Sequence, residues 1–164
     1  MKETNLTRMM KVIEGVFAMR KDPLQLQVNE KVLAKLEQIH PATLSEYNEG
    51  NGPAVWVLVI PTTTELMNRF LEEKISEQEL FDQTNPGRKY ETIYLCSATT
   101  LHEYRGKGIT KRLCCEAIER IRSEHKIKKL FVWTFTPEGD ELAESIARET
   151  KLPLLKRKMI RNKS

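Results

Sequence analysis

The chain has 164 residues, 40% hydrophobic and 30% charged, with a net charge of +4. That is the size of one domain able to bury a core, and the balance of an ordinary globular protein rather than a disordered or fibrous one. The longest apolar run, Ala54 to Pro61, suits a strand and is far short of a membrane-spanning helix, and no signal-peptide pattern opens the chain.

Charge is unevenly spread. Residues 101–164 carry 16 Lys/Arg against 9 Asp/Glu, or +7, whereas residues 1–100 carry 11 against 14, or −3. A basic second half suits a polyanionic partner or a solvated surface. The three cysteines, Cys96, Cys114 and Cys115, are odd in number and two are adjacent, so a disulfide framework is not expected and reduced, cytoplasmic thiols are. Cys114 and Cys115 with His125 lack zinc-ligand spacing, and no metal site is expected.

In chain order, Leu6 to Met19 has apolar residues at helical spacing, stopped at Lys21-Asp22-Pro23. Leu24 to Val28 alternates as a short strand. Asn29 caps a helix through Val32, Leu33, Leu36 and Ile39, and Glu46 to Pro53 reads as a polar loop. Ala54 to Ile60 is a β-branched run, expected as an interior strand that Pro61 closes. Thr63 or Thr64 caps a helix carrying Leu66, Met67, Phe70 and Leu71, and Ser76 with Glu79 is a capping box for another. Asn85-Pro86-Gly87 is a turn.

The second half has more pattern. Ile93 to Thr100 reads as a strand, and Ile109, Leu113, Ala117, Ile118 and Ile121 as a helix. Between them lies the basic turn Arg105-Gly106-Lys107-Gly108. Glycine there permits φ > 0 and close approach of a ligand, and a helix N-terminus beyond it directs free N–H groups at an anion. A phosphate cradle is one reading; simple strand–helix punctuation is the other. The spacing of a nucleoside-triphosphate loop is absent, and Lys111 stands where a dinucleotide fingerprint needs its third glycine. Leu130 to Phe135 then reads as a buried strand parallel to the first across a right-handed crossover. Thr136 caps a helix with Pro137 in its first position and Leu142, Ala143, Ile146 and Ala147 on its apolar face, and Leu152 to Ile160 reads as a last strand.

The run Glu103-Tyr104-Arg105-Gly106-Lys107-Gly108-Ile109-Thr110 resembles the acyl-coenzyme A motif of the GNAT superfamily of N-acetyltransferases, Arg/Gln-x-x-Gly-x-Gly/Ala between a strand and a helix. Thr110 replaces the last Gly or Ala, His102 stands where Pro is common and Thr100 where Val is common; the resemblance spans about residues 93–146. It implies an α/β domain, residues 1–164, with a mixed, mostly antiparallel sheet, a splayed parallel strand pair and helices on both faces. The helical stretch at about 62–84 is an insertion on that plan, expected to cover a sheet face, with shaping of an acceptor pocket as the alternative.

The implied activity is transfer of an acetyl group from acetyl-CoA, the co-substrate, to an amine of unknown identity by direct attack. The implied cofactor-binding residues are Ala98, Thr99 and Thr100 for the pantetheine arm, with Arg105, Gly106, Lys107, Gly108, Ile109 and Thr110 for the pyrophosphate, and charge added by Lys111. Asp140 falls at an Asn position that touches the cofactor in relatives, and Ala147 where many relatives have the Tyr that protonates the departing thiolate. Cys96, four residues before Thr100 and at a position where several relatives have a Glu, is the candidate proton relay, set against a plain core residue. Tyr94, Ser97, His102, Glu103 and Tyr104 are reserves. A regulatory module that binds acyl-CoA without turnover and, behind it, a nucleic-acid binder using the Lys156-Arg157-Lys158 tail are the competing readings. No membrane partner is expected, and a homodimer stays open.

Overall fold

The computed structural model describes residues 4, 5, 7–9, 11, 12, 30–48 and 50–157. Helical backbone occurs at Thr7 to Met9, Lys11 and Val12, within the first expected helix, and at Asn5 just before it; the rest of that helix and the expected strand Leu24 to Val28 lie outside the described residues.

Helix α1 (Glu30–Ile39) buries Val32, Leu36 and Ile39 and leaves Leu33 exposed. Strand β1 (Leu44–Asn48) follows where a loop was expected. Its residues alternate between exposed and half-buried, so no apolar pattern marks it, and its pairing with β2 (Pro53–Thr62) makes it a strand. Strand β2 runs on through Pro61, contrary to the expectation that this proline ends it. The Val59 N–H points to the β1 side, donating to the Thr43 carbonyl at 2.9 Å, and so does the imide nitrogen of Pro61 two residues on. Strand β1 begins only opposite Leu58, so no ladder bond is lost there.

Helices α2 (Thr64–Leu71) and α3 (Glu77–Gln83) occupy the stretch expected to be helical. Thr63 Oγ1 accepts from the Leu66 N–H at 3.3 Å, and Ser76 and Glu79 make both bonds of the capping box. Strand β3 (Thr92–Thr100) pairs antiparallel with β2, then a single 3₁₀ turn (His102–Tyr104) leads to α4 (Ile109–Arg122). Strand β4 (Lys129–Val132), α5 (Pro137–Thr150) and β5 (Leu154–Lys156) complete the chain order. Thr136 caps α5 through the Gly139 N–H at 3.0 Å, with Pro137 in the first turn.

The sheet has the order β1-β2-β3-β4-β5. Two neighbouring pairs are antiparallel, β1/β2 and β2/β3, and two are parallel, β3/β4 and β4/β5, so the sheet is mixed in equal parts rather than mostly antiparallel. Residues of both parities along β2 are buried apart from a half-buried Trp56, so both faces of the sheet are covered. On the face carrying Tyr94, Phe70 of α2 meets Tyr94 (ring centroids 5.0 Å), Phe131 (5.9 Å) and Trp133 (6.0 Å). Near the end of α4, Glu124 pairs with His40 Nε2, while His40 Nδ1 accepts from the Ala42 N–H at 2.9 Å; that pairing fixes the neutral tautomer as Nε2–H. Among the described residues, no helix is long and apolar enough to cross a membrane.

Candidate functional site

Strand β4 is shorter than its apolar run. Parallel pairing with β3 stops at Leu95–Val132, and Trp133, Thr134 and Phe135 leave the sheet although Leu130 to Phe135 reads as one strand. Among the described residues, β3 continues beyond Leu95 to Thr100 with a strand partner on the β2 side only. The Leu101 N–H donates to Ala54 at 2.9 Å, on the β2 side. Alternation along a strand then turns the amides of Thr99 and Ser97 toward β2 and those of Thr100 and Ala98 toward the open edge. Ser97 and Ala98 are exposed, Thr99 and Thr100 half-buried.

The turn after this edge is built by its glycines. Gly106 has φ +75° and Gly108 φ +76°, both left-handed, and open space surrounds the position of an added Cβ at each. Their role is backbone direction rather than room. Gly108 is the N-cap of α4 and offers no side chain to its N–H groups; the first helix-type bond is Arg112 N–H to the Gly108 carbonyl at 3.0 Å. The amides of Ile109, Thr110 and Lys111 precede it and have no intrahelical acceptor. Helices α2, α3 and α5 each have a Thr or Ser cap and an acidic residue in the first turn, whereas α4 has neither. The dipole's positive end is therefore left uncompensated, with Arg105 and Lys107 exposed beside it.

Local contacts hold this end of α4 to the strand edge. Thr100 Oγ1 and Thr110 Oγ1 lie 2.7 Å apart, so the hydroxyl that departs from the familiar motif ties the helix to β3. Arg105 Nε donates to the Thr100 carbonyl at 3.2 Å. Glu103 is held by both terminal nitrogens of Arg8, at 2.8 and 2.6 Å, which pulls its carboxyl down to about 2. Lys107 Nζ sits 5.6 Å from the Tyr104 ring centroid, and Lys111 pairs with Glu149 at 3.6 Å. No family model and no curated protein matches this chain.

The expected residues thus divide into groups. Ala98, Thr99, Thr100, Arg105, Gly106, Lys107, Gly108, Ile109 and Thr110 lie together along the open edge and the turn; Ile109 turns its side chain into the core. Asp140 pairs with Lys156 at 2.9 Å and accepts from Thr134 Oγ1 at 3.2 Å, and the lysine holds its carboxyl below the usual range. Ala147 is half-buried within α5, with its carbonyl accepting from Leu152 N–H at 3.2 Å. His102 is exposed on the 3₁₀ turn.

Cys96 is half-buried, and burial first, then the charge of Glu77, push its thiol well up; Glu77, a residue that sequence reasoning did not single out, accepts the Tyr94 hydroxyl at 2.5 Å. Glu77 lies in the first turn of α3, where an acid is ordinary helix-start chemistry, so nothing local marks it. Two surface clefts lie elsewhere. One of about 250 Å³ is lined by Thr63, Arg69, Asn85, Arg88 and Tyr90, and one of about 330 Å³ by Ser45, Glu46, Glu116 and Arg120. Neither includes the glycine turn or the open strand edge, and both are open to solvent, so the arrangement of backbone donors is the better guide to a ligand.

Proposed function

We propose that the open edge of β3 and the Arg105–Thr110 turn bind an acyl-coenzyme A, and that the protein transfers the acyl group to an amine as a GNAT-like N-acyltransferase. The observation that carries the reading is the uncapped start of α4 behind two left-handed glycines, directly beside a strand edge whose outward amides have no strand partner among the described residues. Backbone N–H groups and a helix dipole suit the pyrophosphate. The Ala98 and Thr100 amides suit the amide groups of a pantetheine arm lying in the gap between β3 and β4.

On this reading the chain positions the thioester and the amine together, and an amide of β3 stabilises the oxyanion formed as the amine attacks. The C–S bond then breaks and coenzyme A leaves as the thiol. Calorimetry with acetyl-CoA is the direct test. Saturable binding that weakens when Gly108→Ala is introduced supports the reading, and absence of binding with no rise in melting temperature removes it. Of the basic tail, the two described residues are engaged elsewhere: Lys156 pairs with Asp140 and Glu144, and Arg157 is buried.

A further inference from the structure

Two imidazoles meet where three connections of the fold come together. His40 directly follows α1 and opens the turn into β1, His125 lies just past α4, and Tyr90 stands just ahead of β3. The two histidine rings pack edge-on with centroids 6.2 Å apart, and the Tyr90 ring lies 4.9 Å from that of His125. His40 is 6% exposed and His125 half-buried.

Each ring has its Nδ1 committed as an acceptor. His40 Nδ1 accepts the Ala42 N–H at 2.9 Å, and His125 Nδ1 accepts the Tyr90 N–H at 3.4 Å. A ring nitrogen accepts only while it carries no proton, so both bonds require a neutral imidazole. A proton added to Nδ1 of His40 sets one N–H against another. Ala42 is fully buried, so its amide loses this acceptor out of reach of solvent.

The rings differ at their other nitrogen. His40 Nε2 pairs with Glu124, whose carboxylate favours a cation there. No carboxylate pairs with His125 among the described residues. Burial first, then the charge of His40, push the His125 pKa below its ordinary value, with Glu124 opposing. The remaining titratable group against the pair is Tyr90. Burial raises its phenol, a backbone bond at Arg88 opposes this, and the hydroxyl donates to the Asn85 carbonyl at 2.5 Å. A proton entering the cluster therefore settles on His40, and the resulting charge resists a second on the neighbouring ring.

The turn that Ala42 closes leads straight into β1. Thr43 Oγ1 braces it by donating to the Leu36 carbonyl at 3.0 Å and the His40 carbonyl at 2.9 Å. Farther along β1, the Tyr47 ring packs edge-on to Tyr104, just before the glycine turn, at 6.3 Å between centroids. The Arg112 guanidinium, in the first turn of α4, lies 5.9 Å from the same Tyr47 ring. One strand thus joins the histidine pair to the surroundings of the candidate site.

We propose that His40 and His125 form an acid-sensitive latch, in which one proton taken up by the pair turns His40 from Ala42 to Glu124 alone and loosens the join that seats β1 beside the glycine turn. The proton comes from solvent and adds to Nδ1 of His40; the bond from the Ala42 N–H is lost and the Nε2–H bond to Glu124 is kept. The latch stands whether or not the protein binds acyl-CoA.

The test is hydrogen exchange read residue by residue by NMR, with each rate compared with that of an unstructured amide at the same pH. Between about pH 7.5 and about pH 5.5, where an imidazole changes charge, protection of the Ala42 amide should fall at least about tenfold. Leu130, whose N–H donates to the Pro153 carbonyl at 2.8 Å, should keep its protection. Nitrogen-15 spectra of the imidazoles should show His40 charged at the lower pH and His125 neutral, with the exposed His102 as the internal reference. His40→Gln retains an acceptor for Ala42 and a donor for Glu124, so protection of Ala42 should no longer depend on pH. Glu124→Gln should hold His40 neutral to lower pH and preserve the Ala42 protection at the acid end. The proposal is overturned if His125 is charged before His40, if His40 stays neutral at the lower pH, or if Ala42 keeps its protection while His40 is charged. The parent spectra alone decide the matter should a variant fail to fold.

Discussion

Gly108→Ala is the sharpest perturbation of the turn. Gly108 has φ +76°, and nothing lies within 4 Å of where a Cβ would be added, so the substitution meets no steric obstacle in the surrounding structure. Its cost is that of holding an L-residue in the left-handed region, about 1–2 kcal/mol. For a domain of this size that lowers the melting temperature by about 2–8 °C. Gly108→Asn should cost less, because Asn tolerates the left-handed region better than Ala. The backbone can escape the strain only by turning φ negative, which redirects the Ile109, Thr110 and Lys111 amides. Acetyl-CoA affinity should then fall more than about tenfold in Gly108→Ala, since a factor of ten corresponds to about 1.4 kcal/mol, the scale of one or two charge-assisted hydrogen bonds. Differential scanning calorimetry and binding calorimetry on the three proteins give both numbers. A Gly108→Ala protein with parental melting temperature and undiminished affinity would refute the argument that left-handed backbone at this residue builds the site.

Two further outcomes follow from the structure. The Glu103 carboxyl, lowered from an ordinary 4.5 to about 2 chiefly by Arg8, favours the folded state above pH ~4.5, and that contribution is lost as pH falls toward 2. Glu103→Gln should therefore flatten the melting temperature between pH 5 and 2 relative to the parent, and about 1 M salt should shrink the difference because the pair is exposed; parallel curves for the two proteins would contradict it. Ser76→Ala removes one bond of the α3 capping box and should cost about 1 kcal/mol in urea unfolding, a value near zero showing that the cap is dispensable.

Local sequence carries much of this fold because several of its signals act within a few residues. Thr63, Ser76 and Thr136 each cap a helix three residues ahead through their own hydroxyl, and Gly106 and Gly108 supply a turn that other residues enter only under strain. The apolar run of β2 and the helical spacing in α4 likewise follow from burial on the period of each element. The nine expected cofactor-contact residues are contiguous or nearly so, and that contiguity makes them legible as a group in the sequence.

Where pairing is long-range, the letters are silent. The residues Leu-Ser-Glu-Tyr-Asn of β1 have no strand-like apolar alternation and become a strand by docking on β2. Trp133 to Phe135 have strand-forming side chains and still leave the sheet after Val132, because hydrogen-bonding register depends on the neighbour and not on propensity. That departure opens the edge of β3, and one unpaired residue in the β2 register sets the bulge at Cys96. Glu77 reaches Tyr94 across 17 residues and Arg157 reaches the Ile75 carbonyl across 82. The sequence by itself determined the glycine turn and the helix behind it, since their geometry is encoded in adjacent residues. Only the tertiary structure decided which strand edge lies open beside that turn and which buried acid the Tyr94 hydroxyl meets, since both depend on contacts between segments far apart in the chain.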